Sequence, residues 1–343
     1  MSGARIRTAL AVILAASAAA SFVLADAFEE SRVSASFLKI GTGARASAMG
    51  EAFTAVADDA NALLWNPAGL AMVRKVELQV THNQWLYGMQ IEHFCLAIPA
   101  GGTWGVSYSL ANLGSFAEWQ GPGTAEGGTF SVNDQVFTAG YGNIFFADSV
   151  SLGATARVIT ENLGGGVGGQ TMSMDIGAMA QPWWVAPGLT VAGVIQNVGG
   201  ELSGFELPFG ARLGIAWRRE GLWVPAGSPA PERDEDRRAK RATYPWENQD
   251  MQGDMVTLSA ESLILKTGRA EFHIGCEYWM TFVALRAGYR YRFPRNDLGG
   301  STGLTLGLGL RGHSFQFDYG FDYAYAPYGA LGDASRFSVL VAF

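Results

Sequence analysis

The stretch LTLGLGLRGHSFQFDYGFDYAY, residues 304–325, alternates large apolar residues with small or charged ones along its whole length. A period of two places successive side chains on opposite faces of a β-strand. One face is leucine and aromatic, and the other carries Arg311, Asp318 and Asp322. In a soluble sandwich the oily face packs into a core, whereas in a membrane barrel it contacts lipid and the polar face lines the lumen.

The N-terminus favours the membrane interpretation. Arg5 and Arg7 precede an apolar, alanine-rich run from Thr8 to Ala25, which is the layout of a secretory signal peptide at residues 1–25 with cleavage near 25–27. An N-terminal membrane anchor is the alternative. The sequence beyond this segment has no run of about 18 apolar residues, the length of a transmembrane helix. Only closed barrels satisfy the backbone groups of strands in lipid, so we expect an exported protein of the bacterial outer membrane, surrounded by its lipid.

Composition agrees with a barrel. Charged residues are 16% of the chain, below the roughly 25% of average soluble domains. The 45 Gly suit tight turns, and the 20 Phe, 11 Tyr and 10 Trp suit the aromatic girdles of a membrane protein. A net charge of -7 argues against a nucleic-acid partner. Cys95 lies on the predicted lumen face and Cys276 on the oily face, so we expect free thiols.

Alternating segments predict an all-β fold, an antiparallel transmembrane β-barrel of about fourteen strands over residues 75–343. The segments lie near 75–84, 89–98, 103–112, 130–143, 149–160, 171–181, 188–196, 208–218, 254–263, 270–279, 282–292, 302–311, 314–325 and 335–343. An even count places both chain ends in the periplasm. Phe343 ends the last strand and resembles the signal that outer-membrane assembly machinery recognises.

One long connection, residues 219–253, falls on the periplasmic side by this parity. It contains four prolines and the mixed charge run from Glu232 to Arg241. It is interpreted either as a solvated insert or as a docking arm for a periplasmic partner.

Two hairpins define a predicted register. A turn at Thr281–Phe282 sets three pairs of lumen side chains opposite one another: Glu277 and Arg286, His273 and Arg290, and Glu271 and Arg292. Together with Asp318 and Asp322 these form a predicted lumen charge ladder, either structural or a selectivity element. A second turn at Gly312–His313 would set Leu310 against Phe315, Leu308 against Phe317 and Leu306 against Tyr319.

The segment 28–74 differs in kind. Residues 46–57, ASAMGEAFTAVA, lack alternation and predict a short helix of small residues, and Asn66-Pro67-Ala68-Gly69-Leu70 predicts a turn. The segment is too short and apolar to be a domain, and we expect it to fold inside the barrel as a helical plug.

These residues carry a family resemblance. The runs GARA (43–46), AMGEAF (48–53), VADD (56–59) and WNPAGL (65–70) resemble the N-terminal signature of the PorV/PorQ group within the FadL-like outer-membrane barrels. GCEYW (275–279) and ALRAGYR (284–290) resemble a late-strand block of that group. The resemblance implies a fourteen-stranded barrel with an N-terminal plug, and it implies the following plug-motif residues: Arg45, Met49, Gly50, Asp58, Asp59, Asn66, Pro67 and Ala68.

The resemblance implies two functions. PorV-like members serve type IX protein secretion by docking the signal domains of exported proteins, and the late block favours this prediction. FadL-like members pass hydrophobic small molecules, fatty acids or aromatics, by a plug change and a lateral opening of the wall, which would lie near the glycine-containing strand at 138–143. The partner is therefore expected to be an exported protein domain or a hydrophobic small molecule.

A barrel enzyme or a purely structural porin is the remaining alternative, and the sequence argues against an enzyme. The four histidines, His82, His93, His273 and His313, lack the spacing of a metal site, and no serine lies in a nucleophile elbow. The glycine run at 164–169 lacks the strand–turn–helix context of a nucleotide loop. We expect no enzyme activity, no metal and no cofactor.

Overall fold

The computed structural model describes residues 33–118, 127–145, 149–164, 166–182, 185–220, 254–266, 269–293, 302–314 and 316–343. The predicted signal peptide at residues 1–25 and most of the insert, residues 221–253, lie outside these ranges. Arg219 and Glu220, where the insert was expected to begin, still belong to a strand.

The described residues contain sixteen strands, and fourteen of them close into an antiparallel barrel. Neighbouring barrel strands pair in chain order, β10 follows β7 around the wall, and β16 pairs with β1. The strands are β1 Glu77–Gln84, β2 Gln90–Pro99, β3 Thr103–Ala117, β4 Thr129–Phe145, β5 Val150–Gly164, β6 Val167–Ala180, β7 Leu189–Val198, β8 Glu201–Leu202, β9 Phe205–Glu206, β10 Gly210–Glu220, β11 Asp254–Leu265, β12 Arg269–Met280, β13 Val283–Phe293, β14 Leu304–Ser314, β15 Phe317–Pro327 and β16 Asp333–Ala342. The predicted transmembrane barrel is confirmed, and each predicted segment contains most of one barrel strand.

The connections differ from prediction in two places. Residues 161–170, which separate two predicted strand segments, are mostly strand, because β5 continues to Gly164 and β6 begins at Val167. The predicted loop at 197–207 contains the small β8–β9 hairpin, which stands apart from the barrel sheet. In both cases backbone pairing continues past the end of the apolar alternation, which marks only the part of each strand facing lipid.

Alternation along each strand separates the two faces of the wall. On β14 and β15, Leu308 and Phe321 are about half exposed on the outside, while Arg311 and Asp322 are buried inside. The two cysteines lie on opposite faces as predicted: Cys95 is buried on the lumen side, Cys276 is half-buried on the outer side, and both are free. Side chains are therefore sorted as a membrane barrel requires.

One predicted register is correct and the other is wrong. Glu277 pairs with Arg286, and the two other predicted pairs of that hairpin are also present. In the next hairpin Leu310 pairs with Phe321, six residues beyond the predicted Phe315, because β14 runs to Ser314 and β15 begins at Phe317. Phe315 itself lies outside the described residues. The error is an even number of residues, so the paired side chains of the two strands kept their predicted faces.

The predicted break in the wall at 138–143 is also wrong. All six residues pair with β3 or β5, and residues 138–142 pair with both. The ladder between β6 and β7 is weaker. It shifts register between Met174 and Ile176, and Asn197 in the facing part of β7 has a φ of 57°.

The N-terminal segment has short elements only. They are α1 Ala44–Ala48, α2 Ala62–Trp65 and the 3-10 turns Ser36–Lys39 and Pro67–Met72. The helix predicted over residues 46–57 is wrong beyond Ala48, because Gly50 and Glu51 adopt φ values of 63° and 64° that end it. None of the described helices is long and apolar enough to cross a membrane.

Candidate functional site: the plug and the cavity above it

The segment from Gly43 to Leu70 lies inside the barrel. Its residues are buried except for Asp58 and Leu64, which are half-buried. A segment of four- and five-residue helices is too short to be stable by itself in water. The barrel wall must therefore supply the contacts that order it, and this places the predicted plug in the lumen.

Two rows of small residues on the wall receive the plug. The β4–β6 glycine row consists of Gly142, Gly153 and Gly177, which are paired across three strands. A Cβ at Gly153 would overlap the carbonyl of Pro67, and one at Gly177 would overlap the Asn66 side chain. Only glycine lets the Asn66–Pro67 turn come this close to the strands.

The second contact is on the opposite wall. Gly275 and Gly288 pair across β12 and β13 and meet the backbone of Met49 and Gly50. Thr305 continues this row on β14, where its hydroxyl accepts a hydrogen bond from the Gly50 N–H at 2.9 Å and donates one to the Ala48 carbonyl at 3.1 Å. The plug is thus held from both sides.

Asn66 holds the plug turn together. Its side-chain amide donates to the Thr54 carbonyl at 3.0 Å, and its side-chain oxygen accepts from the Ala68 N–H at 3.2 Å, which caps the 3-10 turn. Pro67 begins that turn, where its missing N–H costs nothing.

Arg45 joins the plug to the lumen charge ladder. Its guanidinium binds both carboxylate oxygens of Glu277 at 2.9 Å, and one of its nitrogens lies 2.5 Å from Asp58 and 3.2 Å from Asp59. Arg286 also binds Glu277, at 2.7 Å. The plug motif and the ladder, predicted separately, form one buried network, because the ladder carboxylate accepts a bidentate arginine from the plug.

The ladder continues beyond this contact. Arg286 binds Asp322 at 2.8 Å, and Arg311, which was not among the predicted ladder residues, binds Asp322 with two nitrogens. Asp318 does not join the network. It lies at the barrel rim, where it binds Lys75 and His313, both at 2.5 Å.

The other end of the ladder also meets the plug. Arg290 is paired in register with His273 but binds Glu51 of the plug at 2.8 Å and the Tyr328 hydroxyl at 2.6 Å. His273 lies 3.1 Å from Glu271, which also binds Arg292 at 3.1 Å.

Burial shapes the electrostatics of the plug. Burial, reinforced by Asp58 and opposed by Arg45, raises the pKa of Asp59 to about 6. Burial alone would raise the pKa of Glu51 as well, but Arg290 and Arg336 hold that pKa below its ordinary value. Glu51 therefore stays ionised at neutral pH, while Asp59 is close to gaining a proton.

Phe343 lies at the opposite chain end. It is 61% exposed, and its backbone N–H donates to the Val76 carbonyl at 3.0 Å beside the start of β1. Its ring centroid is 6.5 Å from that of Phe317. The exposed terminal ring is compatible with recognition by assembly machinery, which stays a prediction.

A cavity of about 720 Å³ opens beside the plug. It lies near the loop ends of the strands, between the plug residue Glu51 and the 3-10 turn at 36–39. Its lining combines aliphatic, aromatic and charged side chains. The lining residues include Leu38, Ile40, Glu51, Asn197, Arg212, Leu263, Leu265, Glu271, Arg290 and Arg292.

Sequence reasoning missed three contributors to the site. Arg212 binds Glu261 at 2.6 Å and stacks 4.9 Å from the Trp65 ring, and Glu261 also accepts the Phe53 and Thr54 N–H groups. The glycine rows were missed as well. A lumen-facing glycine in an alternating strand is a signal for close backbone approach that the sequence offered.

No group of three or more His, Cys, Asp or Glu side chains in the described ranges has the arrangement of a metal site.

The comparisons with known proteins agree with the fold. The model of an uncharacterised protein family, UPF0164, matches residues 10–179, and no curated protein sequence matches the chain. A mutant of the TodX monoaromatic hydrocarbon channel is similar at a TM-score of 0.51 and 10% identity, covering 88% of this chain and 97% of that one.

Two further structures show lower similarity. The Ralstonia pickettii toluene transporter TbuX has a TM-score of 0.47 at 12% identity, covering 88% of this chain and 97% of its own. A Pseudomonas aeruginosa FadL homologue has a TM-score of 0.42 at 14% identity, covering 84% and 95%. The similarity to the TodX channel shows that the chain shares its overall barrel fold.

Proposed function

We propose that this protein is a passive outer-membrane transporter of amphipathic small molecules that have an apolar body and an acidic head. The cavity beside the plug carries the proposal. Its volume of about 720 Å³ is within the range of roughly 300–1,000 Å³ typical of small-molecule sites. The barrel fold and the monoaromatic hydrocarbon named for the TodX channel support the apolar body of such a molecule.

The charges of the cavity support an acidic head. Three arginines line it, Arg212, Arg290 and Arg292, and each binds one carboxylate, Glu261, Glu51 and Glu271 respectively, so an acidic head would bind by sharing these guanidinium groups. Leu38, Ile40, Leu263 and Leu265 supply the apolar wall that an alkyl or aromatic body needs. Arginine binds carboxylate oxygens in a bidentate geometry, which favours a carboxylate head over a neutral one.

The weak β6–β7 ladder supplies an exit toward lipid. Asn197 lines the cavity and closes this seam: its N–H donates to Asp175 at 2.8 Å, and its side-chain oxygen accepts from Arg157 at 2.8 Å. On the outside the seam is flanked by Met174 and Ile176, both more than half exposed. We place lateral release here, in contrast to the 138–143 strand predicted from sequence.

Location follows from the same proposal. The barrel would lie in the bacterial outer membrane with both chain ends in the periplasm, the cavity toward the cell exterior, and residues 221–253 in the periplasm. The docking of exported protein domains, predicted from the PorV-like block, has no support from the comparisons and stays an outcome of the test.

The first experiment is native mass spectrometry of the barrel purified gently from its own outer membrane. An acidic amphiphile retained in the lumen supports transport. Stoichiometric exported proteins that share one C-terminal domain would overturn transport in favour of docking.

A binding measurement tests the acidic head. Oleate is compared with oleyl alcohol, which has the same chain and no charge, in the wild type and in Arg292→Gln. Arg292 is 46% exposed and lines the cavity, so its loss is tolerated better than that of a buried arginine. We expect oleate binding to weaken by roughly tenfold, the low end of the range for a hydrogen bond to a charged group because Arg292 is half-exposed, while alcohol binding stays unchanged. Equal effects on both probes would contradict the acidic-head assignment.

A further inference from the structure

A band of uncharged polar side chains lies on the part of the lumen wall formed by β1–β4 and β6. We call it the polar layer: Gln79 on β1, His93 on β2, Ser107 on β3, Thr138 on β4 and Ser173 on β6. None of the five is more than 3% exposed. None of them lines the cavity described above.

Strand register makes this band continuous. Cys95 lies between Gln79 and Ser107, Ser107 pairs directly with Thr138, and Arg157 lies between Thr138 and Ser173. These residues form one row across six strands. His93 is on the next row toward the loops, where it pairs with Ser109.

The polar layer is closed on the loop side by an apolar cluster. Phe37 of the N-terminal segment and Leu202 and Leu207 beside the small hairpin pack with Val136 and Ile159. Val136 and Ile159 are on the same row as His93. This cluster separates the layer from the loop end of the barrel.

The plug closes the other side. Leu63 and Leu70 lie against Gly105, and Leu63 also lies against Gly140. These glycines occupy the row directly below Ser107 and Thr138. The polar layer is therefore enclosed between two apolar seals.

The layer holds polar atoms that the described side chains and backbone leave without a hydrogen bond. They are both amide atoms of Gln79, Nε2 of His93 and the hydroxyl oxygens of Ser107, Thr138 and Ser173. The other ring nitrogen of His93 is 2.8 Å from the Ser109 hydroxyl, which fixes the ring. Each buried polar atom left unpaired costs free energy comparable to a lost hydrogen bond, so six in one layer would offset much of a protein's marginal stability.

We propose that the polar layer is an enclosed site for uncharged hydrogen-bonding guests, either an ordered water cluster or a small hydroxylated solute. The six atoms lie on five strands, and a water typically makes about three hydrogen bonds, so several waters would be needed to reach them all. The charged side chain on the row, Arg157, binds Asp175 and Asn197 through its terminal nitrogens, and its Nε adds one donor to the hydroxyl, amide and imidazole groups of the layer. The site is independent of the proposed transport function, because its residues do not line the cavity.

Oxygen-18 radiolytic footprinting of the full-length barrel in detergent tests this directly. Hydroxyl radicals formed from bound water oxidise neighbouring side chains even when these are buried. His273 is the matched control, because it is 0% exposed in the same lumen and both of its ring nitrogens lie within reach of partners. We expect oxygen-18 incorporation at His93 and none above background at His273.

Water and a small hydroxylated solute give different results in this experiment. Labelled His93 identifies water, whereas protected His93 with an uncharged solute retained in native mass spectrometry identifies the solute. Protected His93 with no retained mass means that the layer is dry, and the proposal is wrong. Equal labelling of His93 and His273 means that the whole lumen is wet, and this also overturns it.

A variant removes the hydroxyls without changing the wall. Ser107→Ala with Thr138→Val should reduce His93 labelling to the level of His273. Thr160→Val on the outer face of β5 should leave it unchanged. If the double variant fails to assemble, the single isosteric Thr138→Val replaces it. Unchanged labelling in an assembled variant would show that these hydroxyls hold no guest.

Discussion

The β4–β6 glycine row gives the sharpest test of how the plug is held. We predict that Gly153→Ala displaces the plug and leaves the barrel assembled. The new methyl group would overlap the Pro67 carbonyl and lie 2.6 Å from the Ala68 nitrogen. Both neighbours are backbone atoms, which cannot rotate away as a side chain does.

The size of the effect follows from the geometry. Inserting one methyl group into a well-packed site costs about 1–3 kcal/mol. β5 is hydrogen-bonded along its length to β4 and β6, whereas the plug turn is a short segment resting on the wall. The plug is therefore the part that moves, and its docked-to-undocked ratio should fall roughly 5- to 150-fold.

Two measurements detect displacement of the plug. Planar-bilayer recording should show more frequent open events in Gly153→Ala than in the wild type. Trypsin should cut after Arg45, which is 2% exposed when the plug is docked. Gly193→Ala on β7 is the control, because the nearest atom to its added Cβ is a flexible Leu213 methyl at 3.2 Å. Wild-type conductance and protection in Gly153→Ala, or equal effects in Gly193→Ala, would refute the close-packing argument.

Three further predictions concern the plug. Arg45→Lys keeps the charge but loses the two-nitrogen contact with Glu277. We expect the free energy of plug docking to fall by up to about 3–5 kcal/mol, measured as trypsin cleavage within the plug. Protection from trypsin equal to that of the wild type would contradict this prediction. Asn66→Ala removes the cap and the bond to Thr54, which should weaken docking by about 1–2 kcal/mol and raise antibiotic leakage; unchanged leakage would count against the plug. Burial raises the pKa of Asp59 to about 6, so the protonated carboxyl stabilises the docked plug. This stabilisation is complete below the ordinary pKa of Asp59 and is lost as the pH rises through 6. Open events should thus become rarer on acidification from about pH 7 to about pH 5, and Asp59→Asn should flatten that dependence; a persistent pH dependence in the variant would assign it elsewhere.

Much of the barrel wall could be predicted from local alternation in the sequence. In residues 304–325 and 270–292, period-two alternation placed each side chain on its correct face, and one tight turn at Thr281–Phe282 defined the pairs from Glu277–Arg286 to Glu271–Arg292. Alternation is a local property of the chain, so it can be read without any tertiary contact. The Gly312–His313 turn failed, because alternation continues through the turn and does not mark where one strand ends.

The plug depended on tertiary structure. The helix predicted over 46–57 ends at Ala48 because Gly50 turns the chain against Gly275 and Gly288 of the wall, more than two hundred residues away. The sequence alone determined a membrane barrel with an N-terminal segment of different character, since faces and strand lengths are local. Only the closed barrel decided that Arg45 meets Glu277, that Pro67 rests on Gly153, and that a cavity and a separate polar layer lie in the lumen. Those contacts join distant positions, and no local period encodes them.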